Sequence, residues 1–298
     1  MRDLTLTRSK HGSLKDSERR LGILLIMPAA LLICFVIIYP IIFNINMSFY
    51  KVALNPKRAD EFVGLANYAK LFSDPSFYES LGLTVCYVIL TVVGSTGVGL
   101  MVALLMNSAF VGRKAARALL LLSYVTPMIA TLYVWQYMFN GLYGVVNYFL
   151  VNILRVTNTS PLWYDDKLLS IMLVVLYDIW RVFPYAFLML LASLQAIDHD
   201  VYEAADMDGA SSLQKFRSIT LPALMPTISA IVTLRTIWNF YKFDDVYLFS
   251  KKLSVLGVYL YQAAFATHDM GRAAAITIVL FVIVFSFVIL FGRKVIRR

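Results

Sequence analysis

The sequence predicts an all-α integral membrane protein with six transmembrane helices. Of its 298 residues, 60% are hydrophobic and only 15% are charged. Four stretches without a charged residue reach the roughly 20 residues that a helix needs to cross a bilayer: they are 21–50, 80–112, 118–154 and 273–292. None of these stretches alternates apolar with polar residues, which argues against membrane-spanning β-strands.

Polar loops separate the predicted spans, which lie at about 21–43, 81–106, 119–139, 168–194, 223–241 and 273–291. The first apolar run is too long for a cleaved signal peptide, so we expect it to be retained as a span. Residues 67–72 are expected to form a short helix in the first outer loop. The chain then divides into an amino-terminal tail of residues 1–20, a six-span domain of residues 21–292 and a carboxy-terminal tail of residues 293–298.

The distribution of basic residues predicts the orientation in the membrane. The termini and the even-numbered loops carry 15 Lys and Arg residues, against 10 in the odd-numbered loops. Because basic residues are enriched in cytoplasmic loops, both termini and the loop between spans four and five are predicted to be cytoplasmic. The net charge of the chain is +9. Its Lys and Arg residues cluster beside the spans and do not form a stripe on a soluble domain. Nucleic acid is therefore not an expected partner.

The loop between spans four and five, residues 197–222, has the pattern of a helix, a turn and a second helix. Asp200 is predicted to cap the first helix, because Glu203 follows it at the spacing of a capping box. Small side chains at i, i+3 and i+4 would share one side of this helix; they are Val201, Ala204 and Ala205. Such a flat face allows close approach to another backbone.

The turn in this loop is predicted at Gly209, which should end the first helix. Ser211 or Ser212 should begin the second helix. Pro222 and Pro226 are expected to kink or end that second helix.

Seven residues of the loop fit one sequence pattern. The pattern is Glu-Ala-Ala, a gap of three residues, Gly, a gap of nine residues, Ile, a gap of one residue, and Leu-Pro. The matching residues are Glu203, Ala204, Ala205, Gly209, Ile219, Leu221 and Pro222. The pattern resembles the EAA motif in permease subunits of binding-protein-dependent ABC importers. The resemblance implies a coupling helix that docks into a groove on an ATPase subunit. It assigns the coupling role to Glu203, Ala204, Ala205, Asp208 and Gly209. The alternative is an ordinary helix–turn–helix that binds nothing.

Charged residues inside spans are rare and usually functional. Asp178 and Arg181 lie in span four, and Arg235 lies in span five. Helical spacing places the polar residues of each span on one face: these are Asp178, Arg181 and Tyr185 in span four, and Arg235, Asn239 and Lys242 in span five. Two such faces would suit a water-filled path for a polar solute. Alternatively, Asp178 and Arg181 pair with each other and only hold the bundle together.

Aromatic and amide side chains near these faces favour a sugar as the solute, because aromatic rings stack on sugar C–H groups and amides bond hydroxyls. The predicted pathway residues are Asp178, Trp180, Arg181, Tyr185, Arg235, Trp238, Asn239 and Tyr241. For the Trp and Tyr residues, the alternative is a place in the aromatic belt at a membrane interface.

Further stretches resemble the larger permease subunits of sugar importers, in the same order along the chain; they are 62–68, 180–184, 239–244 and 264–265 followed by Gly271. The chain is thus similar to the first permease of the maltose-type carbohydrate family over nearly its whole length. One stretch, 248–253, departs from the Thr-Gly-Gly-Gly-Pro-like turn that is usual there.

This resemblance implies an ATP-driven importer that moves a sugar, oligosaccharide or sugar-like solute by alternating access across the bacterial cytoplasmic (inner) membrane. The implied partners are a second homologous permease subunit in a heterodimer, two ATPase subunits that bind ATP and Mg, an extracytoplasmic solute-binding protein, and membrane lipid. No cofactor is expected on this chain.

The sequence contains no sign of catalysis. It has no Gly-x-x-x-x-Gly-Lys-Ser/Thr phosphate loop and no Gly-x-Ser-x-Gly elbow, and its three histidines lack metal-ligand spacing. Neither catalytic residues nor a metal site are therefore expected. Two other classes stay open. One is an ion-coupled secondary transporter or channel with Asp178, Arg181 and Arg235 as an ion relay, and the other is a purely structural membrane partner.

Overall fold

The computed structural model describes residues 10–53, 59–250 and 252–296, which form helices and one short hairpin. In chain order the α-helices are α1 (Lys10–Ile33), α2 (Tyr39–Met47), α3 (Ala66–Phe72), α4 (Pro75–Asn107), α5 (Arg113–Val125), α6 (Met128–Met138), α7 (Val145–Tyr148), α8 (Lys167–Gln195), α9 (His199–Met207), α10 (Ser212–Lys215), α11 (Leu221–Phe240), α12 (Asp244–Phe249), α13 (Leu256–Tyr261) and α14 (Met270–Ile296). Short π-helical segments occur at Cys34–Ile38, Phe149–Ile153, Phe216–Thr220 and Gln262–Ala266. Strands β1 (Tyr50–Lys51) and β2 (Glu61–Phe62) pair antiparallel.

Parts of three predicted segments lie outside the described residues. They are residues 1–9 of the amino-terminal tail, residues 297–298 of the carboxy-terminal tail and position 251 of the 248–253 stretch. The short helix predicted over residues 67–72 is present as α3.

Five helices in the described part of the chain are long and apolar enough to cross a membrane; they are Glu18–Met47, Pro75–Asn107, Lys167–Gln195, Ser212–Phe240 and Met270–Gly292. They correspond to predicted spans one, two, four, five and six. Four of them extend past both predicted bounds, whereas the helix of span five begins earlier than predicted and ends at Phe240, one residue before its predicted end. The total is six when α5 and α6 are counted as one bent span, the third. The predicted fold class is confirmed.

The third span, predicted over residues 119–139, is not one straight helix. α5 and α6 meet at an angle of 91°. The break lies at Thr126 and Pro127, which both have extended backbone dihedral angles. A proline disfavours the helical conformation of the residue before it and has no N–H to donate to the preceding turn. The expectation of a single helix here is therefore wrong.

Pro222 and Pro226 do not end the second helix of the loop between spans four and five. α10, the π segment Phe216–Thr220 and α11 run on as one helix from Ser212 to Phe240. Pro222 lies in the first turn of α11, directly after the π segment. The wider π turn accommodates a residue that has no N–H and a bulky ring. The loop therefore passes into span five without a break.

α8 lies at the centre of the fold and packs against α4, α5 and α11. The backbones of α4 and α8 come very close at Gly99, where an added Cβ would lie 2.6 Å from the Ala186 Cβ and 2.9 Å from the Phe187 nitrogen. Small residues permit such close contacts between membrane helices, whose association depends on van der Waals packing. α8 is thus held firmly where it carries the polar face of span four.

The first span, Glu18–Met47, lies outside this core. None of the residues in its most apolar stretch is buried by the rest of the described chain. Its exposed side chains include Leu25, Phe35 and Tyr39. An apolar surface of this size is stable only when lipid or another subunit covers it.

Candidate functional site

The predicted coupling loop, residues 197–222, begins with α9. Asp198 caps this helix, and its carboxylate accepts a hydrogen bond from the Asp200 N–H at 3.2 Å. The predicted capping box of Asp200 and Glu203 is therefore wrong, because the chain is already helical at Asp200. The Glu203 carboxylate instead lies 3.2 Å from Nδ1 of His199, one turn earlier on the exposed surface.

The turn after α9 forms as predicted. Gly209 has a φ of 72°, which glycine adopts without strain. Its N–H donates to the Asp206 carbonyl at 3.0 Å, and the Ala210 N–H donates to the Ala205 carbonyl at 2.9 Å. These two bonds form a Schellman motif, which ends the helix. Ser211 then caps α10, so the first of the two predicted start positions is confirmed.

One side of α9 is tied to the helix that follows. The Tyr202 hydroxyl is hydrogen-bonded to the Thr220 hydroxyl at 2.7 Å, and the Lys215 ammonium lies 2.6 Å from the Asp206 carboxylate. A cavity of about 860 Å³ lies between α9 and the end of α4 at Asn107. These contacts fix the orientation of α9 at the base of span five.

The other side of α9 faces outward. Glu203, Ala204 and Asp208 are exposed, and Ala205 is partly buried. Met207, which the sequence analysis did not select, is 89% exposed. Met207 follows Ala204 by three residues, so the two side chains share a face of α9. This spacing could have identified Met207 as part of the exposed face from the sequence alone. A methionine beside alanines gives an adaptable apolar surface for another protein.

A buried set of charges joins the polar faces of spans four and five. The guanidinium of Arg235 lies 2.6 Å from the Asp178 carboxylate, and Nζ of Lys242 lies 3.3 Å from it. Lys242 also lies 2.9 Å from the Asp245 carboxylate. Both carboxylates are completely buried. We call Asp178, Arg235, Lys242 and Asp245 the charge cluster; its formal charges cancel.

One of the two alternatives for span four was an ion pair between Asp178 and Arg181. This alternative is wrong, because Asp178 pairs with other residues. Residues three apart on a helix are near enough to pair, but the two carboxylate oxygens of Asp178 are bound by Arg235 and Lys242. Asp178 is directed at Arg235 of α11 instead. Asp245 was missed because it follows span five in a polar segment, and α12 buries it against the core. Within the described ranges, no group of His, Cys, Asp and Glu is placed to hold a metal ion.

The eight predicted pathway residues fall into three groups. Asp178, Arg235 and Asn239 are buried. Arg181 and Tyr185 are partly buried, whereas Trp180, Trp238 and Tyr241 are exposed. The buried amide of Asn239 donates to the Thr91 hydroxyl at 2.7 Å, so it holds α11 against α4. The three buried residues therefore hold helices together, and the three exposed residues are accessible from outside the chain.

Two of the aromatic pathway residues are in direct contact. The rings of Tyr185 and Trp238 are 5.8 Å apart between centroids, which brings α8 and α11 into contact. Trp180, on the same helix as Tyr185, packs against Trp135 of α6 at 5.5 Å. We call Trp180, Tyr185, Trp238 and Tyr241 the aromatic surface. It presents flat apolar rings with polar edges.

At the opposite end of α4, a polar network joins the start of the helix to α13 and α14. Asp74 caps α4 by accepting a hydrogen bond from the Ser76 N–H at 2.9 Å. It also accepts one from the Tyr259 hydroxyl at 2.7 Å and another from Arg272. The hydrogen bond from Tyr259 is the largest influence that holds the pKa of Asp74 below its ordinary value. A cavity of about 410 Å³ opens beside this network.

Residues 95–298 match the sequence family described as binding-protein-dependent transport system inner membrane component. The chain is 50% identical over 279 residues to the inner membrane ABC transporter permease protein YcjO of Escherichia coli (strain K12), over 94% of this chain and 95% of that protein. It is 35% identical over 290 residues to the trehalose/maltose transport system permease protein MalF of Thermococcus litoralis, with 94% and 95% covered. It is 33% identical over 269 residues to the sulfoquinovosyl glycerol transport system permease protein SmoG of Agrobacterium fabrum, with 89% and 86% covered.

The fold is also similar to solved structures. A chain of a bacterial ABC transporter that imports the acidic polysaccharide alginate superposes with a TM-score of 0.79 at 20% identity, over 95% of this chain and 98% of that chain. A chain of the alginate transporter in complex with an alginate pentasaccharide-bound periplasmic protein gives 0.77 at 18% identity, with 94% and 95% covered. Both have the arrangement of helices described above.

Proposed function

Because this chain belongs to the family of binding-protein-dependent transport system inner membrane components, we propose that it translocates a sugar or sugar-like solute by alternating access, driven through α9. The chain is the permease subunit of an ABC importer, a multi-pass protein of the bacterial inner membrane. It is a transport subunit and not an enzyme, and ATP hydrolysis belongs to separate subunits.

The coupling step is proposed for the exposed side of α9. Closure of two ATPase subunits around ATP and Mg pushes on this helix, with Glu203 as a charged contact. Ala204 and Ala205 allow the ATPase to approach closely, and Asp208 and Gly209 shape the turn. The contacts of Tyr202 and Lys215 with the base of span five support this role, because they make α9 and that span move together. α9 and both termini then lie on the cytoplasmic side.

The solute path is proposed to run along the aromatic surface. These residues are accessible from outside the chain, and a second homologous permease subunit would complete the wall on the facing side. The charge cluster lies behind this wall and holds α8 and α11 in a fixed relation. A rigid wall with accessible aromatic rings suits the passage of a sugar, whose C–H faces stack on such rings.

The sugar class rests on the relatives. Their names give trehalose or maltose for one permease and sulfoquinovosyl glycerol for another, and both are glycosides. We propose a glycoside as the solute of this chain too. An extracytoplasmic solute-binding protein would deliver it to the outer ends of the spans.

The observation that carries the proposal is the complete Glu-Ala-Ala to Leu-Pro spacing, which begins on the exposed side of α9 and ends in the first turn of α11. The test reconstitutes the purified complex and its binding protein in proteoliposomes, and follows radiolabelled disaccharides that include trehalose and maltose. We expect accumulation to require ATP on the side of α9 and to be insensitive to proton and sodium ionophores. Accumulation driven by an ion gradient without ATP would show a secondary transporter instead.

A further inference from the structure

Arg181 is a charged residue at the centre of a membrane-spanning helix. Counted from Lys167, it is residue 15 of the 29 in α8, which places it about 21 Å from either end of the helix at a rise of 1.5 Å per residue. A guanidinium at this depth is strongly unfavourable against lipid, and such residues almost always face the interior of a bundle or a water-filled cavity. Arg181 therefore requires an anion or water beside it.

No carboxylate among the described residues forms an ion pair with Arg181. The acid closest to it along the helix, Asp178, is bound by Arg235 and Lys242. Nε of Arg181 is buried and has no hydrogen-bond partner. The charge cluster is already neutral, and none of the described side chains forms a salt bridge with Arg181.

Arg181 also lies beside the aromatic surface. Tyr177 and Tyr185 precede and follow it by one helical turn, so all three residues lie on one side of α8. Tyr185 packs against Trp238 across the contact with α11. Because Arg181 is only partly buried, a molecule that lies on the aromatic surface can reach it. The surroundings thus combine rings for a sugar with a planar set of N–H donors.

We propose that Arg181 binds an anionic group of the solute, which is then a glycoside that carries a carboxylate or a sulfonate. The inference rests on the proposed transport function and specifies its solute class. A guanidinium offers two parallel N–H donors to a pair of oxygen atoms, and such charge-assisted bonds are strong where water is scarce. An acidic glycoside would place its ring on the aromatic surface and its anionic group on Arg181.

The test uses the purified complex of this chain with its permease and ATPase partners. Binding is followed by tryptophan fluorescence with two matched pairs of probes, lactobionate with lactitol and maltobionate with maltitol. The members of a pair differ only in a carboxylate in place of a hydroxymethyl group. Wild type is compared with Arg181→Gln, Arg181→Lys and Lys114→Gln. The last variant removes an exposed positive charge near the start of α5 and controls for net charge.

We expect wild type and Lys114→Gln to bind at least one acidic probe about tenfold more tightly than its neutral partner, or about 1.4 kcal/mol. Arg181→Gln should abolish this preference, and Arg181→Lys should keep part of it. No preference or no binding in wild type, or an unchanged preference in Arg181→Gln, would overturn the proposal.

Loss of the second permease from the Arg181→Gln complex would also overturn it, because Arg181 would then pair with a carboxylate of that subunit. ATP hydrolysis by the wild-type complex is measured first. A complex without an ATPase would contradict the proposed function, whereas an active complex without an anion preference contradicts only the role of Arg181.

Discussion

Arg235 of α11 and Asp178 of α8 form an ion pair of 2.6 Å whose side chains are only 4% and 0% exposed. Lys242 and Asp245 extend this pair to α12. A buried ion pair adds little stability relative to apolar residues of the same size, but removal of one member leaves a charge buried without a partner. The charge cluster therefore specifies which helices pack together behind the aromatic surface.

Replacement of Asp178 by Leu should lower the free energy of unfolding by about 3–5 kcal/mol, because Arg235 then stays buried without an acid. The double variant Asp178→Leu with Arg235→Met leaves the neutral pair of Lys242 and Asp245, so it should recover most of the loss. Titration with sodium dodecyl sulfate in mixed micelles, followed by tryptophan fluorescence, measures both variants. A double variant as unstable as the single one would refute this account of the cluster.

Gly209→Pro should abolish uptake while the chain remains in the membrane. Proline fixes φ at about −65°, whereas the turn after α9 has a φ of 72°. Gly209→Asn is the matched control and should keep most of the uptake, since Asn visits the left-handed region more readily than other residues with a Cβ. Uptake assays with immunoblots of the membrane fraction provide the comparison. Normal uptake by Gly209→Pro would show that the turn has no role in coupling.

Ala205→Trp should reduce the amount of ATPase subunit that co-purifies with the chain, because a large ring on α9 prevents close approach of another backbone. Val111→Trp is the control, as Val111 is fully exposed in the connection between α4 and α5. Quantitative immunoblots of the purified complexes give the retained ATPase. Equal retention by both variants would mean that the alanine face does not dock.

Tyr259→Phe should lower the stability of the protein at neutral pH and make that stability depend less on acid. The hydrogen bond from Tyr259 lowers the pKa of Asp74 below its ordinary value of 3.8. A carboxyl with a lowered pKa stabilises the folded state above its unfolded pKa, and this contribution is lost as the pH falls through the folded pKa. Without Tyr259, the folded-state pKa of Asp74 rises towards its unfolded value, so Asp74 contributes less stability at neutral pH and less is lost on acidification.

The stability of wild type and Tyr259→Phe is compared at neutral and acidic pH, with Asp74→Asn as the background control. The difference between the two proteins should be largest at neutral pH and should shrink below the ordinary pKa of Asp74. In the Asp74→Asn background, Tyr259→Phe should cause no pH-dependent difference. A persistent pH dependence there would assign the effect to another group.

The sequence predicted the spans and the turn of the coupling loop because both depend on local properties. Five spans are long charge-poor helices, and Gly209 alone among its neighbours takes a positive φ without strain. The bend at Pro127 was missed because an apolar run of sufficient length resembles a single span whether or not it is straight. The cap at Asp198 was missed because Asp200, two residues later, stands at the capping-box spacing from Glu203.

The pairing of charges could not be predicted from spacing along one helix. Asp178 and Arg235 are 57 positions apart, and the choice of Arg235 over Arg181 depends on how α8 and α11 are rotated against each other. The burial of Asp245 likewise depends on the path of α12. Such contacts are set by the packing of whole helices, for which a single sequence gives no direct signal.

The central claim is that α9 couples this permease to an ATPase, and affinity purification from native membranes tests it most directly. A tagged chain is extracted in mild detergent, and the proteins that accompany it are identified and quantified by mass spectrometry. We predict an ATPase subunit with a phosphate-binding loop and a second six-span permease, both in a fixed ratio to the chain. A chain that purifies alone, in cells where solute uptake follows an ion gradient, would contradict the claim.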